Sequence, residues 1–328
     1  MSTIKDVANE AEVSVATVSR VINNNGYVNE DTKKKVQLAI DKLNYKPNAV
    51  ARSLFKKKSM TIGLILPDIK NPFFPEVARA IEDVTNSNGF TLILCNSDED
   101  ENKEQQYLDV LKQKYVDGVI MVTSTLTPKN IEKMGIPIVA LDRTIGHSIP
   151  SVSVNNYQGA RDAVQYLKSL GCHKIAHIRG PENVINADER CNGYLDEVKN
   201  NEWFHPELIV NGYYDIKRTI AVTRELLLQY PDIEAIFAGN DYMAAGVLKA
   251  ALSIGRKVPD DLVIIGFDGI DLCTLTTPEL STMSQPIYEI GKVAATMLLD
   301  IIGGKPIEEM HHQYSVQLIE RLSTKKSR

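Results

Sequence analysis

The chain has no apolar run of about 18 or more residues, so a membrane-spanning helix is not expected. Its N-terminus lacks the basic-then-apolar pattern of an export signal. Its four cysteines, Cys95, Cys172, Cys191 and Cys273, are scattered without C-x-x-C spacing, the usage expected of reduced thiols in a cytoplasm. The phosphate-binding motif G-x-x-x-x-G-K-[ST], the nucleophile elbow G-x-S-x-G and the zinc motif H-E-x-x-H are all missing, which argues against the commonest enzyme classes. His311 and His312 are adjacent, but strand neighbours point to opposite faces and no Cys/His cluster accompanies them, so neither a metal nor another cofactor is expected.

The net charge of −5 and a pI near 5.8 give no hint of a nucleic-acid partner when taken whole. Divided at Lys58, the charge is uneven. The first 58 residues carry +5 and the remainder −10. A modestly basic head on an acidic body suits a duplex-binding arm whose body stays off the phosphates.

Within the head, Ile4, Val7, Ala8 and Ala11 have the spacing of a short amphipathic helix. Ser14 is an N-cap candidate for a second helix with Val15, Val18, Val21 and Ile22 inside. Two short helices joined by a tight turn, the second opening on small and hydroxyl side chains, form the helix-turn-helix pattern. Thr17, Ser19 and Arg20 can donate to phosphates or base edges. A third helix is expected over 29–45, with Val36, Leu38, Ile40 and Leu43 apolar and Lys33, Lys34, Lys35 and Lys42 outside. Pro47 ends it, and Asn48 can cap a fourth helix too short to be stable alone, which would order only on DNA or on a second copy.

From residue 60 onward, strand and helix signals alternate. Strands are expected over 60–67, 91–95, 118–122 and 137–141 with helices over 74–87 and 102–114 between them. A second set has strands over 174–178, 208–212, 235–238 and 262–267 and helices over 157–170, 187–199, 216–229 and 242–252. Such alternation means parallel sheets covered by helices, and two sets mean two doubly wound lobes with ligands at the carboxyl ends of the strands. Those ends carry Asn71, Phe73, Phe74, Asp142, Arg143, Arg190, Asn240, Asp268 and Gln285. Carboxylates and amide oxygens accept from hydroxyls, guanidinium groups donate to them, and aromatic faces cover the apolar side of a sugar ring. The apolar helix over 291–302, with Val77, Ala80, Ile81 and Val84, is either an intersubunit face or core of one lobe. Asp142 and Asp268 are the carboxylates that glycoside chemistry would use as an acid/base pair, and a DNA-reading head is unexpected on such an enzyme.

The phrases VSVATVSRVIN (13–23) and PNAVARSL (47–54), and the order of elements across the whole chain, resemble the lactose/galactose repressor family of bacterial transcription regulators. One departure is Glu12, in a turn where the family usually has glycine. The phrases LPDIKNPFFPEVARAIED, ALDRT and GPENVINADERCNGY are similar to those of the ribose operon repressors of Gram-positive bacteria, and the strand-end set coincides with the family's sugar positions.

The resemblance implies a small all-α helix-turn-helix domain over 1–46, a hinge helix and linker over 47–59, and an α/β two-lobe core over 60–328 like that of periplasmic binding proteins. The first lobe would comprise about 60–160 and 286–314, the second about 161–285 and 315–328. It implies base reading by Val15 and Ala16, and a hinge helix that pairs with its twin in the minor groove and wedges Leu54 between base pairs. The expected DNA surface is Thr3, Ser14, Val15, Ala16, Thr17, Ser19, Arg20, Asn23, Asn48, Ala51, Arg52 and Leu54. The implied partners are operator DNA, a second copy of the chain and a sugar effector, most simply ribose, that releases the operator of ribose uptake and utilisation genes. The alternative is a global catabolite regulator that answers to a serine-phosphorylated phosphocarrier protein.

Overall fold

The computed structural model describes residues 2–23, 25–45, 58–122, 127, 131 and 134–325. The chain divides into two compact units, Met1–Ser59 and Met60–Arg328.

Among the described residues, the first unit is built from three helices: α1 (Ile4–Glu10), α2 (Val15–Asn23) and α3 (Glu30–Lys42). Thr3 caps α1 through a reciprocal pair in which Asp6 N–H donates to Thr3 Oγ1 (3.4 Å) and Thr3 N–H donates to Asp6 Oδ2 (2.7 Å). Ser14 caps α2, accepting from Thr17 N–H at 3.1 Å. Asn29 caps α3 rather than joining it, accepting from Asp31 N–H at 2.7 Å. The third helix stops at Lys42, three residues short of the expected 45, because Asn44 takes a left-handed φ of 45°. Val7, Ala8, Ala11, Val18, Val36 and Ala39 form the core. Leu38, expected inside, is 69% exposed; its neighbour Ala39 takes the inward position. The hinge segment, with Asn48, Ala51, Arg52 and Leu54, lies outside the described residues.

Among the described residues, the second unit holds two six-stranded sheets. The first lobe contains β1 (Thr61–Leu66), β2 (Thr91–Asn96), β3 (Gly118–Met121), β4 (Ile138–Leu141) and β5 (Ser151–Val154), all parallel, in the order β11-β5-β4-β3-β1-β2, where β11 is His311–Tyr314. The second lobe contains β6 (Ile175–Arg179), β7 (Ile209–Asn211), β8 (Ala235–Ala238), β9 (Val263–Asp268), β10 (Ser281–Ser284) and β12 (Gln317–Ile319), in the order β12-β10-β9-β8-β6-β7. Only the β10–β12 pair is antiparallel among these ladders. Fully buried runs such as IVAL and AIFA mark strands covered on both faces.

Among the described residues, the chain crosses between lobes three times. The first crossing lies at Asn155 rather than near 160, because helix Asn156–Ser169 packs its buried Ala160, Ala163, Val164 and Leu167 on the second sheet from its first turn onward. The second falls at Gln285–Pro286 and the third between Tyr314 and Gln317. Helix Ile287–Ile302 packs against helix Phe73–Ser87 inside the first lobe: a Cβ on Gly291 would sit 2.9 Å from Ala80 Cβ. Val77, Ala80 and Ile81 are fully buried there, so these residues are lobe core and not the intersubunit face weighed from the sequence. No helix among the described residues is long and apolar enough to cross a membrane.

Candidate functional site

In the head, α2 presents Ser14, Val15, Ala16 and Arg20 to solvent, with Thr17, Ser19 and Asn23 half-buried. Ser14 and Thr17 share a hydroxyl hydrogen bond of 2.9 Å, and Asn23 Nδ2 donates to Ser19 O at 2.9 Å. Thr3 is committed to its cap. Arg20 makes no ion pair among the described residues. The turn that sets α2 against α1 passes through Glu12 at φ +54°, the left-handed region where glycine is favoured. The head therefore offers a helix start with exposed small side chains and, on the same helix, the exposed cation Arg20.

In the second unit, all nine strand-end residues predicted from the sequence are buried. Arg190, on helix Ile185–Val198, is the centre of one network. Its Nε donates to Asn156 Oδ1 (2.9 Å) and its NH1 to Gly239 O (2.6 Å) and Asp268 Oδ1 (3.2 Å). The guanidinium lies 3.7 Å over the Phe267 ring. Asp268, the last residue of β9, has φ +121° and also accepts from Gln285 Nε2 at 2.8 Å. Asp241 Oδ2 accepts from Gly269 N (2.6 Å) and Ile270 N (3.0 Å), pinning the turn that follows.

A second network joins the lobes. Asp142, just past β4 at φ +65°, accepts at Oδ2 from Asn186 Nδ2 at 2.7 Å, and Tyr214 OH donates to Asn186 Oδ1 at 3.4 Å. Beside it, Arg143 NH2 donates to Glu99 Oε1 at 2.7 Å. Asn71 and Asn240 bond locally, to Phe73 N (3.2 Å) and Met243 N (2.8 Å). Phe73 and Phe74 meet edge to face at 5.2 Å and belong to the first-lobe core.

Among the described residues, three buried polar atoms of the nine strand-end residues have no hydrogen-bond partner: Asp142 Oδ1, Arg143 Nε and Gln285 Oε1. Two acceptors and one donor left unpaired in a desolvated place match hydroxyl groups, which both give and take hydrogen bonds. Burial pushes the Asp142 carboxyl above its ordinary range against the pull of Arg143 and Arg190. It pushes Asp268 the same way against the pull of Arg190, with Asp241 and Asp142 adding to the rise.

Asn186, Tyr214, Asn156 and Glu99 were not expected from the sequence. Asn186 was the most findable, because it lies four residues before Arg190 and so on the same helix face. Outside the cleft, His311 Nδ1 shares a 2.9 Å hydrogen bond with Ser151 Oγ, and His312 pairs with Glu309 at 3.1 Å.

Residues 3–48 match the family described as bacterial regulatory proteins, lacI family, and residues 59–324 match periplasmic binding proteins and the sugar-binding domain of that family. The chain is 48% identical over 325 residues to a ribose operon repressor of Halalkalibacterium halodurans, covering 99% of this chain and 98% of the relative. It is 40% identical to a catabolite control protein A of Priestia megaterium, with 98% and 99% covered. The fold is similar to the lac repressor dimer bound to operator and the anti-inducer ONPF (TM-score 0.87, 25% identity, 98% and 99% covered). It is also similar to a family regulator from Enterococcus faecium with bound ribose (TM-score 0.72, 31% identity, 80% and 98% covered).

Proposed function

The chain belongs to the LacI family of bacterial regulatory proteins, and from that premise we propose that it is a ribose-responsive repressor of ribose uptake and utilisation genes. It is a DNA-binding transcription regulator and not an enzyme. It works as a homodimer on operator DNA, in the bacterial cytoplasm. Each copy lays α2 in a major groove, with Ser14, Val15, Ala16, Thr17, Ser19 and Arg20 at the duplex and Thr3 and Asn23 beside it. Val15 and Ala16 offer few hydrogen bonds, so readout leans on Thr17, Arg20 and DNA shape. The paired hinge segments carry Asn48, Ala51 and Arg52 to the minor groove and wedge Leu54 between base pairs.

The observation that carries the sugar reading is the set of unpaired buried atoms on Asp142, Arg143 and Gln285, supported by the ribose bound in the Enterococcus relative. Ribose spans the lobes, replaces part of their direct contact and moves the first lobes of the dimer relative to one another, so that the hinge helices lose their pairing. Going from mostly bound to mostly released takes a preference of about 5.5 kcal/mol between the two states, which two sugar sites share.

A second reading, a catabolite regulator answering to a serine-phosphorylated phosphocarrier protein, is supported by the 40% identity to catabolite control protein A. The hydroxyl-matched cleft favours ribose. A mobility shift on the DNA upstream of the chain's own gene tests both. Release by ribose supports the first reading, and tightening by the phosphoprotein with indifference to pentoses and hexoses overturns it.

A further inference from the structure

Asp142, Asp268 and Glu99 stand against the guanidinium groups of Arg143 and Arg190 in the cleft, and the way they are paired bears on which sugars it admits. Arg190 is spent on Asp268, Asn156 and the Gly239 carbonyl. Arg143, whose side chain is only 2% exposed, is neutralised by Glu99, whose side chain is 29% exposed. Arg143 Nε, the one unpaired donor among the three unpaired atoms, therefore belongs to a cation that already has its anion. The other two unpaired atoms, on Asp142 and Gln285, are acceptors and repel an anionic oxygen. On the loop that carries Glu99, Lys103 pairs with Asp98, and Lys70 also lies near that carboxylate. Asp98 and Glu99 both take left-handed backbone angles, 56° and 57°, a conformation that L-residues adopt at a cost and that brings Glu99 to Arg143.

We infer that Glu99 sets the charge selectivity of the cleft: by claiming Arg143 it makes the site one for uncharged sugars and closes it to phosphorylated ones. The inference rests on the ribose reading of the same site. A phosphate would bring two negative charges toward Asp142, Asp268 and Glu99 with no unclaimed cation among the described cleft residues, and like-charge juxtaposition is the usual means by which a site rejects a near-relative of its ligand. Replacing Glu99 by glutamine leaves Arg143 with an unclaimed charge, which a phosphate is well suited to take.

Calorimetric titration of the full chain with ribose and with ribose 5-phosphate, for the natural protein and Glu99→Gln, tests this. The natural protein should prefer ribose by at least about a hundredfold, and Glu99→Gln should narrow the ratio by about tenfold or more. Because the first measurement needs no variant, the inference stays testable even if Glu99→Gln fails to fold. Comparable binding of both sugars by the natural protein overturns it, and an unchanged ratio in a folded Glu99→Gln protein removes Glu99 from the role. Binding of neither sugar overturns the ribose reading itself.

Discussion

Asn186 of the second lobe donates to Asp142 of the first across 2.7 Å, a direct tie between lobes made by two of the residues that line the candidate sugar site. A ligand that donates hydrogen bonds to Asp142 enters into competition with that tie or extends it. In either case, the tie sets the ligand-free distance between lobes. Asn186→Ala should open the ligand-free core, seen as a larger radius of gyration in solution scattering, with ribose restoring the compact value. Leaving buried Asp142 short of a partner should also cost about 1–3 kcal/mol in thermal unfolding. An unchanged radius would show that other contacts hold the lobes together.

Asp268 accepts from both Arg190 and Gln285. The near-isosteric Asp268→Asn keeps the shape and removes the charge. It should weaken ribose at least about tenfold while operator affinity stays unaltered, leaving repression that ribose no longer relieves. Leu54→Ala should do the reverse. Equal loss of both functions in both variants would point to misfolding instead of a division of labour.

Ribose affinity should depend on pH in one direction. Burial raises the Asp142 and Asp268 carboxyls in the free protein, and sugar hydroxyls donating to them favour the charged forms. The bound state thus holds fewer protons, so affinity rises as pH climbs above the ordinary carboxylate range of about 4, levelling off once the free-state carboxyls are ionised. For folding the sign is opposite: a raised carboxyl contributes stability that is lost as pH rises through its folded value. Calorimetry in buffers of different ionisation enthalpy should detect proton release on ribose binding, and proton uptake would contradict this account.

Arg20 is exposed, and among the described residues it has no ion pair, on the helix expected in the groove. If it holds a phosphate, Arg20→Ala should weaken all DNA sequences alike and reduce the slope of log affinity against log salt by about 1. A loss confined to one base position would instead assign Arg20 to base reading.

Glu12 occupies a left-handed turn at φ +54°. Glu12→Gly should raise the stability of the three-helix head by about 0.5–1 kcal/mol, since only glycine adopts that conformation freely. Thermal unfolding followed through the head reads this directly, and a loss of stability would show that the Glu12 side chain makes a contact worth more than the strain.

Much of the fold was readable because periodicity and burial coincide. The stretches at 216–229 and 235–238 are a helix and a strand at the expected bounds. The strands SVSV, STMS and HHQY carry too little apolar signal to stand out, and become strands because neighbours in the sheet supply their hydrogen bonds. The cleft shows the same divide. Asp268 ends a strand and Arg190 lies in the second turn of a helix, where charged residues in an apolar setting attract notice. Asn186 and Asn156 read as ordinary turn and cap residues, and only the folding of distant segments brings them to Asp142 and Arg190.

The late return of β11 and β12 has a consequence for biosynthesis. The first lobe's sheet lacks its outer strand until Tyr314 has left the ribosome, and the second lacks its own until Ile319 has followed. The three-helix head is complete after its first 45 residues and has all its partners at hand. The reader of DNA is thus able to fold early in synthesis, while both halves of the sensor must wait for strands that lie about 140 residues or more beyond their first ones.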